Sequence, residues 1–216
     1  VRNSYAGMSN LSGLVAVEQA EAGFTGLEDG VALHLSSVAA DEPDRAALAD
    51  ELGERWEIER GYFKLHAACR YTHAVLDAVE TLAETNDIAA RDVESVSIET
   101  YPAAAALSSV RPKNALQAKF SIPFAVASAL TTGDTGKLSF TDDALTEEAL
   151  ALAARVDVTA TDEFTARVPE ERGARVPVKT VGGDTVEHTV RAARGGEHGP
   201  FTESDLRTKF DRLVAP

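Results

Sequence analysis

The side chains best suited to chemistry lie close together in residues 63–73, which read Phe-Lys-Leu-His-Ala-Ala-Cys-Arg-Tyr-Thr-His. On a helix, Cys69, Arg70 and His73 would share one face, because they are spaced one helical turn apart. The N-terminal amides of such a helix attract carboxylates, and Lys64 and Arg70 would add charge-assisted hydrogen bonds. His73 could then move a proton near neutral pH. The segment is therefore interpreted as a carboxylate-binding, proton-transferring site, the alternative being an exposed helix start above a buried cysteine.

Other reactive side chains give weaker indications. Cys69 has a histidine nearby but no further nucleophile signature, and a lone cysteine among small residues is more often part of the core. Lys119 interrupts an alanine-rich helix pattern, so it is either a second polar position of the site or a solvated helix lysine. His34 and His188 sit in apolar or alternating stretches, which favours structural roles. The glycines around His198 do not follow a strand and open a helix, as a dinucleotide fingerprint requires. No H-x-x-x-H pair occurs, and no metal site is predicted.

The composition limits the class of protein. The chain has 216 residues, of which 44% are hydrophobic, so a sizeable core is expected and disorder is not. No apolar run reaches the roughly 20 residues of a membrane helix, and the first residues lack the apolar core of a signal peptide. The single cysteine, Cys69, excludes an internal disulfide, a Cys-rich zinc site and an all-cysteine iron–sulfur site within this chain. We expect a cytoplasmic protein without a membrane partner.

The charge is strongly and diffusely negative. Asp and Glu number 35 against 21 Lys and Arg, for a net charge of −14, and only six of the cations are lysines. A uniformly acidic surface repels phosphate backbones, which argues against nucleic acid as a partner. Scattered acids with few lysines are typical of proteins from a salt-rich cytoplasm, where salt screens their repulsion. The halophilic interpretation is preferred to that of an ordinary acidic protein.

The pattern of elements predicts an α+β fold. Helical spacing dominates the first quarter, with helices expected within residues 7–30, 29–38 and 42–52. The pattern then changes near residue 55, where residues 56–63 alternate as an extended segment would. Further helices are expected at 67–84, 114–131 (capped by Asn114), 142–154 and 202–214, and strands at 93–101, 156–161, 175–181 and 185–190. Gly182-Gly183-Asp184 would turn a hairpin, and Pro177 would place its strand at an edge or bulge.

Four segments resemble one known family. Residues 63–73, followed by Asp77-Ala78, resemble the F-K-x-x-x-x-C-R-x-x-H-x-x-x-D-A signature of the MmgE/PrpD family. Residues 115–124 resemble its A-K-F-S-x-x-[YF] segment. Residues 5–26 are similar to its G…A-x-x-G-x-T-G segment, and residues 200–210 to its P-[LM]-[ST]…K-F ending. The family includes 2-methylcitrate dehydratase of propionate metabolism, cis-aconitate decarboxylase and iminodisuccinate epimerase.

The resemblance implies an all-helical domain and a smaller α+β domain with the active site in the cleft between them. Residues 1–58 would finish the helical domain, 59–195 would form the smaller domain with a mostly antiparallel sheet covered by helices, and 196–216 would return to the helical one. Family members are roughly twice this length. We therefore expect a fragment, a split subunit or a shortened descendant that lacks an N-terminal half contributing catalytic residues.

The resemblance also assigns residues. Lys64 matches a lysine that binds a substrate carboxylate. Cys69 stands where the decarboxylase branch has a catalytic histidine, which argues against that activity. Arg2 and Tyr5 stand where many members have lysine and histidine, and Phe124 where some have tyrosine.

The expected reaction is cofactor-free, metal-free dehydration of a di- or tricarboxylate by a carbon–oxygen lyase. His73 and Lys64 are the expected catalytic residues, and Arg2, Tyr5, Lys64, Cys69, Arg70 and Lys119 the expected substrate ligands. The alternatives are an epimerase or isomerase of a dicarboxylate and a non-catalytic subunit. A homodimer is expected, or pairing with a separate N-terminal helical chain.

Overall fold

The first part of the chain is helical. The computed structural model describes residues 4–39, 44–47 and 50–214, and the chain divides after Trp56 into two compact units. The first unit contains α1 (Tyr5–Glu21) and α2 (Gly30–Val38), as the sequence predicts. A helix over 42–52 is not formed in its described part, where the backbone makes turns. Glu51 and Gly53 have φ values of 53° and 88°, which are incompatible with a right-handed helix.

The first unit buries little apolar surface. Among its described residues only Ala32 is buried, and α1 has no buried residue. The apolar side chains of α1, such as Leu11, Leu14 and Val17, are exposed.

The second unit is built on a mixed four-stranded sheet. Its strands are β1 (Val93–Thr100), β2 (Val156–Ala160), β3 (Ala174–Thr180) and β4 (Thr185–Val190), in the order β2-β1-β3-β4. β1 and β2 are parallel, whereas the β1–β3 and β3–β4 pairs are antiparallel. One row of register partners is all valine: Val156, Val96, Val178 and Val186. This row marks the face of the sheet that packs on the core.

Helices cover that face. The remaining helices are α3 (His73–Asn86), α4 (Pro102–Ala105), α5 (Ala115–Ala118), α6 (Ile122–Thr132), α7 (Glu147–Ala153), α8 (Asp162–Thr165) and α9 (Glu203–Val214). α3 packs on β3 and β4, while α6 packs on α3, α7 and β2. The side chains that the 3.6-residue period places on one face of α3 are buried: Val75, Leu76, Val79 and Leu82. The α+β class predicted from the sequence is confirmed. No helix in the described residues is long and apolar enough to span a bilayer.

Several predicted boundaries are wrong. The helix expected from Ala67 begins only at His73, after a 3-10 turn over Arg70–Thr72. The segment expected to be extended contains a 3-10 turn at Glu57–Arg60. Pro177 is expected at an edge or a bulge, but it lies in the interior strand β3, and the register irregularity of the β1–β3 pair is between Val93 and Ser95. The hairpin turn between β3 and β4 and the strand at 93–100 are formed as predicted.

Candidate functional site

Three backbone hydrogen bonds hold residues 63–69 in an irregular conformation ahead of α3. The amide of Phe63 donates to the carbonyl of Gly195 over 2.9 Å, and that of Ala67 to Thr135 over 2.9 Å. The amide of Cys69 donates to the carbonyl of Lys119 over 2.8 Å. These bonds bring two segments that the sequence singled out separately, 63–73 and 117–121, side by side. Lys119 therefore joins the cluster through its backbone.

Arg70 is anchored by carbonyl groups. Its Nη1 donates to the carbonyl of Arg194 over 2.7 Å and its Nη2 to that of Ala193 over 2.8 Å. The guanidinium also stacks on Tyr62, 4.4 Å from the ring centre. Burial lowers the pKa of Arg70 from its ordinary value, although the group remains charged at any physiological pH. The anchoring leaves a fixed positive charge beside the start of α3.

His73 is buried and neutral. It is 1% exposed, and its Nδ1 lies 3.3 Å from Arg70 Nη1. Since a guanidinium can only donate, Nδ1 is the acceptor and the ring proton resides on Nε2. Burial, together with the nearby His66 and Arg70, lowers the pKa of His73 to about 3. At neutral pH the ring is a weak base, so it is better suited to positioning Arg70 than to proton abstraction. Within the described residues, Nε2 has no hydrogen-bond partner.

Lys64 and Cys69 lie on either side of Ala68. Lys64 Nζ donates to the carbonyl of Ala68 over 3.4 Å, a weak bond that leaves the exposed ammonium able to turn toward a ligand. Cys69 is partly exposed and carries a free thiol. It precedes the 3-10 turn with extended backbone angles, φ −59° and ψ 140°, so it is not on the helix that the sequence predicted.

Below this cluster lies a buried polar network centred on Asp77. His66 Nε2 is 3.1 Å from Asp77 Oδ1, and His66 Nδ1 is 2.6 Å from Thr135 Oγ1. Arg194 donates to Asp77 from its backbone amide and its Nε, both over 2.8 Å, and from Nη2 to Glu80 over 2.5 Å. Burial alone would raise the pKa of Asp77, but the hydrogen bonds from His66 and Arg194 outweigh it and lower the pKa to about 2.

The same network has the donor set of a metal site. One ligand atom each from His66, Asp77 and Glu80 lies within 4.8 Å of the others. Arg194, however, contacts both carboxylates and supplies the positive charge that a metal ion would bring. The cluster is therefore interpreted as structural. Sequence reasoning included His66 in the reactive segment but missed Arg194, which lies more than one hundred residues away and has no local signal.

Comparison with known families decides the identity of the second unit. The family model of the MmgE/PrpD C-terminal domain matches residues 66–216. The chain belongs to the MmgE/PrpD family. No curated protein matches the chain significantly.

The MmgE/PrpD match covers only some of the predicted site residues. Cys69, Arg70, His73 and Lys119 lie within residues 66–216, and Lys64 lies just ahead of them. Of the remaining two, Tyr5 is exposed on α1 of the first unit. Arg2 lies outside the described residues. Phe124, expected where some members have tyrosine, is fully buried in α6 and lies in the core. Lys64, Cys69, Arg70, His73 and the backbone of Lys119 are brought together.

Proposed function

We propose that the chain is the C-terminal part of an MmgE/PrpD lyase that dehydrates a hydroxy-polycarboxylate, such as 2-methylcitrate, without a cofactor. The observation that carries the proposal is the clustering of Lys64, Arg70 and the neutral imidazole of His73 ahead of and at the start of α3, in a chain of net charge −14. Cations concentrated against such a background suit a ligand with several carboxylates.

The reaction is a β-elimination. A base removes the proton α to a carboxylate, the electrons of that C–H bond form the C=C bond, and the C–O bond breaks to release the hydroxyl, which is protonated to water. Lys64 and Arg70 stabilise the negative charge that develops on the carboxylate, as oxyanion donors do. His73 is buried and positions the Arg70 guanidinium through its Nδ1. Because the pKa of His73 is about 3, we assign proton abstraction to another residue, on the helical domain that the family supplies. Arg2 and Tyr5 are also proposed as substrate ligands, as the family resemblance implies.

Substitution of Lys64 tests the proposal. The chain, supplied with a helical partner if it requires one, is incubated with 2-methylcitrate in concentrated KCl, and the unsaturated product is followed by its ultraviolet absorbance. Lys64→Met is expected to lower kcat/KM by about 10²-fold, as loss of an oxyanion donor does. Lys113→Met is the matched control, because Lys113 is an exposed residue of a loop. Equal turnover by the Lys64 variant and the wild type would contradict the role of Lys64.

The same preparation separates two other functions. An epimerase would exchange the substrate α-proton for solvent deuterium without forming an alkene. A non-catalytic subunit would bind the acid and do neither. The non-catalytic subunit is the second candidate function. It is favoured by the low pKa of His73, because a weakly basic imidazole cannot serve as the base that removes the substrate proton.

We also infer that the chain works in an assembly, either as a homodimer or with a separate helical chain. The support is the exposure of the apolar side chains of α1, which isolated proteins rarely leave in water. The mass in solution, measured by light scattering after gel filtration, tests this inference. A chain that has the mass of a monomer by itself, and still has that mass after a helical partner is added, would contradict it.

A further inference from the structure

A cleft of about 270 Å³ opens within the second unit, apart from the buried Asp77 network. Its lining residues include three arginines, Arg60, Arg70 and Arg172, and two tyrosines, Tyr62 and Tyr101. Arginines number 15 in a chain of net charge −14. Three arginines that line one cleft therefore form a local concentration of positive charge in an acidic protein.

The arginines of this arginine cleft do not form ion pairs with the carboxylates that line it, within the described residues. Among the described residues, neither Arg70 nor Arg172 lies within ion-pair distance of an Asp or Glu, and Arg60 is 3.8 Å from Glu57. Arg172 is exposed and lies 5.9 Å from the ring centre of Tyr71, a contact that leaves its five N–H donors available. Arg70 is held rigidly by two carbonyls. One arginine with a fixed guanidinium and one with a free guanidinium thus line the same cleft.

Tyr101 adds a neutral donor. Its side chain is 3% exposed and packs edge-on against Tyr71 at 5.7 Å between ring centres. Within the described part of the chain, its hydroxyl makes no hydrogen bond. Burial raises the pKa of Tyr101 well above its ordinary value, so the hydroxyl stays protonated and can donate to an anion.

We infer that the arginine cleft binds a carboxylate of a di- or tricarboxylate, with Arg172 and Tyr101 as ligands and Arg70 as a fixed charge. Guanidinium groups bind carboxylates through paired N–H donors, and a phenol supplies a third bond. Glu170 and Glu197 also line the cleft and oppose the anion. They leave a net charge of about +1 from these side chains, so binding is moderate and reversible.

Arg70 connects the cleft to the proposed reaction. The same guanidinium that lines the cleft lies 3.3 Å from Nδ1 of His73. A polycarboxylate with one carboxylate in the cleft would thus lie beside Arg70, and the identity of the anion as a substrate carboxylate rests on the proposed function. Arg172 and Tyr101 would then determine specificity for the carboxylate that does not react.

Binding of tricarballylate to the 216-residue chain, measured by isothermal titration calorimetry at fixed salt, tests the cleft independently of catalysis. This acid has three carboxylates and no hydroxyl, so it cannot be dehydrated. Arg172→Gln is expected to weaken binding about tenfold, the size of one charge-assisted pair, and Tyr101→Phe about threefold. Glu170→Gln is expected to strengthen it about twofold.

Arg191→Gln is the matched control for net charge. Arg191 is exposed, is 3.8 Å from Glu171 and does not line the cleft. Its substitution is expected to leave the dissociation constant within about twofold of the wild type. Equal weakening by Arg191→Gln and Arg172→Gln would assign the effect to overall charge and overturn the inference, as would a wild-type chain that does not bind tricarballylate. Specific binding without dehydration of any hydroxy acid would instead overturn the proposed function and leave the cleft intact.

Discussion

The imidazole of His73 is fixed by its surroundings in the neutral form. Arg70 donates to Nδ1, and the burial of the ring makes a second positive charge unfavourable. Lys64 and His66 add to this effect. The residue that the sequence predicts as the proton carrier is therefore a poor proton acceptor at neutral pH.

The neutral state of His73 predicts how stability changes with pH. With a pKa of about 3 in the folded chain and 6.5 as its ordinary value, the ring binds a proton in the unfolded state first as pH falls. Stability from this group is complete above pH 6.5 and is lost as pH falls toward 3, by up to about 1.4 kcal/mol per pH unit. Urea unfolding at about pH 7 and about pH 5 checks this, since the shift of Asp77 acts only below its ordinary pKa of 3.8.

His73→Gln is the comparison for that measurement. It removes the titrating group, so its loss of stability between the two pH values should be smaller than that of the wild type. Identical losses would show that His73 does not titrate abnormally. Other ionisable groups are common to both proteins and cancel in the difference.

The sequence predicts which segment carries the reactive side chains, but it does not predict how deeply His73 is buried. Residues 63–73 were found because cations, histidines and a cysteine cluster within them, and Lys64, Arg70 and His73 do lie close together. Burial of His73 depends on the packing of α3 against the sheet, which spacing along the chain does not encode. Arg172, Tyr101 and Arg194 come from distant segments and have ordinary neighbours in sequence, so only tertiary structure reveals them.

At the scale of elements, the A-K-F-S segment illustrates how a cap is mistaken for a helix interior. The pattern from Asn114 predicts one helix to Thr131, whereas the chain forms α5, breaks at Lys119–Ser121 and starts again as α6. Ser121 Oγ accepts from the amide of Phe124 over 2.9 Å, and Pro123 lies in the first turn. The sequence does indicate this break, because Pro123 is tolerated in the first turn of a helix and not in a helix interior.

Removal of the Ser121 cap should be costly. Its hydroxyl also donates to the carbonyl of Ser109 over 2.5 Å, and the residue is fully buried. We expect Ser121→Ala to lower the free energy of unfolding by about 2 kcal/mol, since a cap and a second hydrogen bond are lost. Asn114→Ala removes the exposed cap of α5 and is expected to cost about 0.5–1 kcal/mol. Equal costs by urea unfolding would contradict the importance of the Ser121 break.

The loop that holds Arg70 depends on a glycine. Gly195 has φ +91°, and a Cβ there would lie 2.3 Å from the carbonyl oxygen of Phe63 and 2.7 Å from the ring of Phe201. Gly183, in the β3–β4 turn, has φ +92° with nothing within 4 Å of the same position. The two glycines therefore share a backbone conformation and differ in crowding.

Alanine at these two positions separates strain from crowding. Gly183→Ala is expected to cost about 1 kcal/mol for the left-handed backbone, and Gly195→Ala about 3 kcal/mol because steric overlap is added. Thermal unfolding of both variants provides the comparison. A Gly195 variant no less stable than the Gly183 variant would contradict the close approach of the loop to Phe63.

For the whole molecule, the net charge of −14 predicts a dependence on salt. Screening of ordinary self-repulsion is nearly complete by about 0.5 M salt, where the Debye length has fallen to a few ångströms. A protein adapted to a salt-rich cytoplasm should continue to gain stability from about 1 M to about 3 M KCl. The melting temperature across that range checks the halophilic interpretation, and a plateau below 1 M would favour an ordinary acidic protein.

The contacts of Arg194 limit when the second unit can fold during translation. Translation releases His66, Asp77 and Glu80 long before residues 192–198, which supply the guanidinium and the carbonyls that hold the earlier segment. Until then, the nascent chain must bury carboxylates without their cation or keep α3 away from the sheet. Folding of the second unit during synthesis is therefore expected to wait for β4 and the loop that follows it. Until then, α3 and residues 63–73 remain accessible to chaperones.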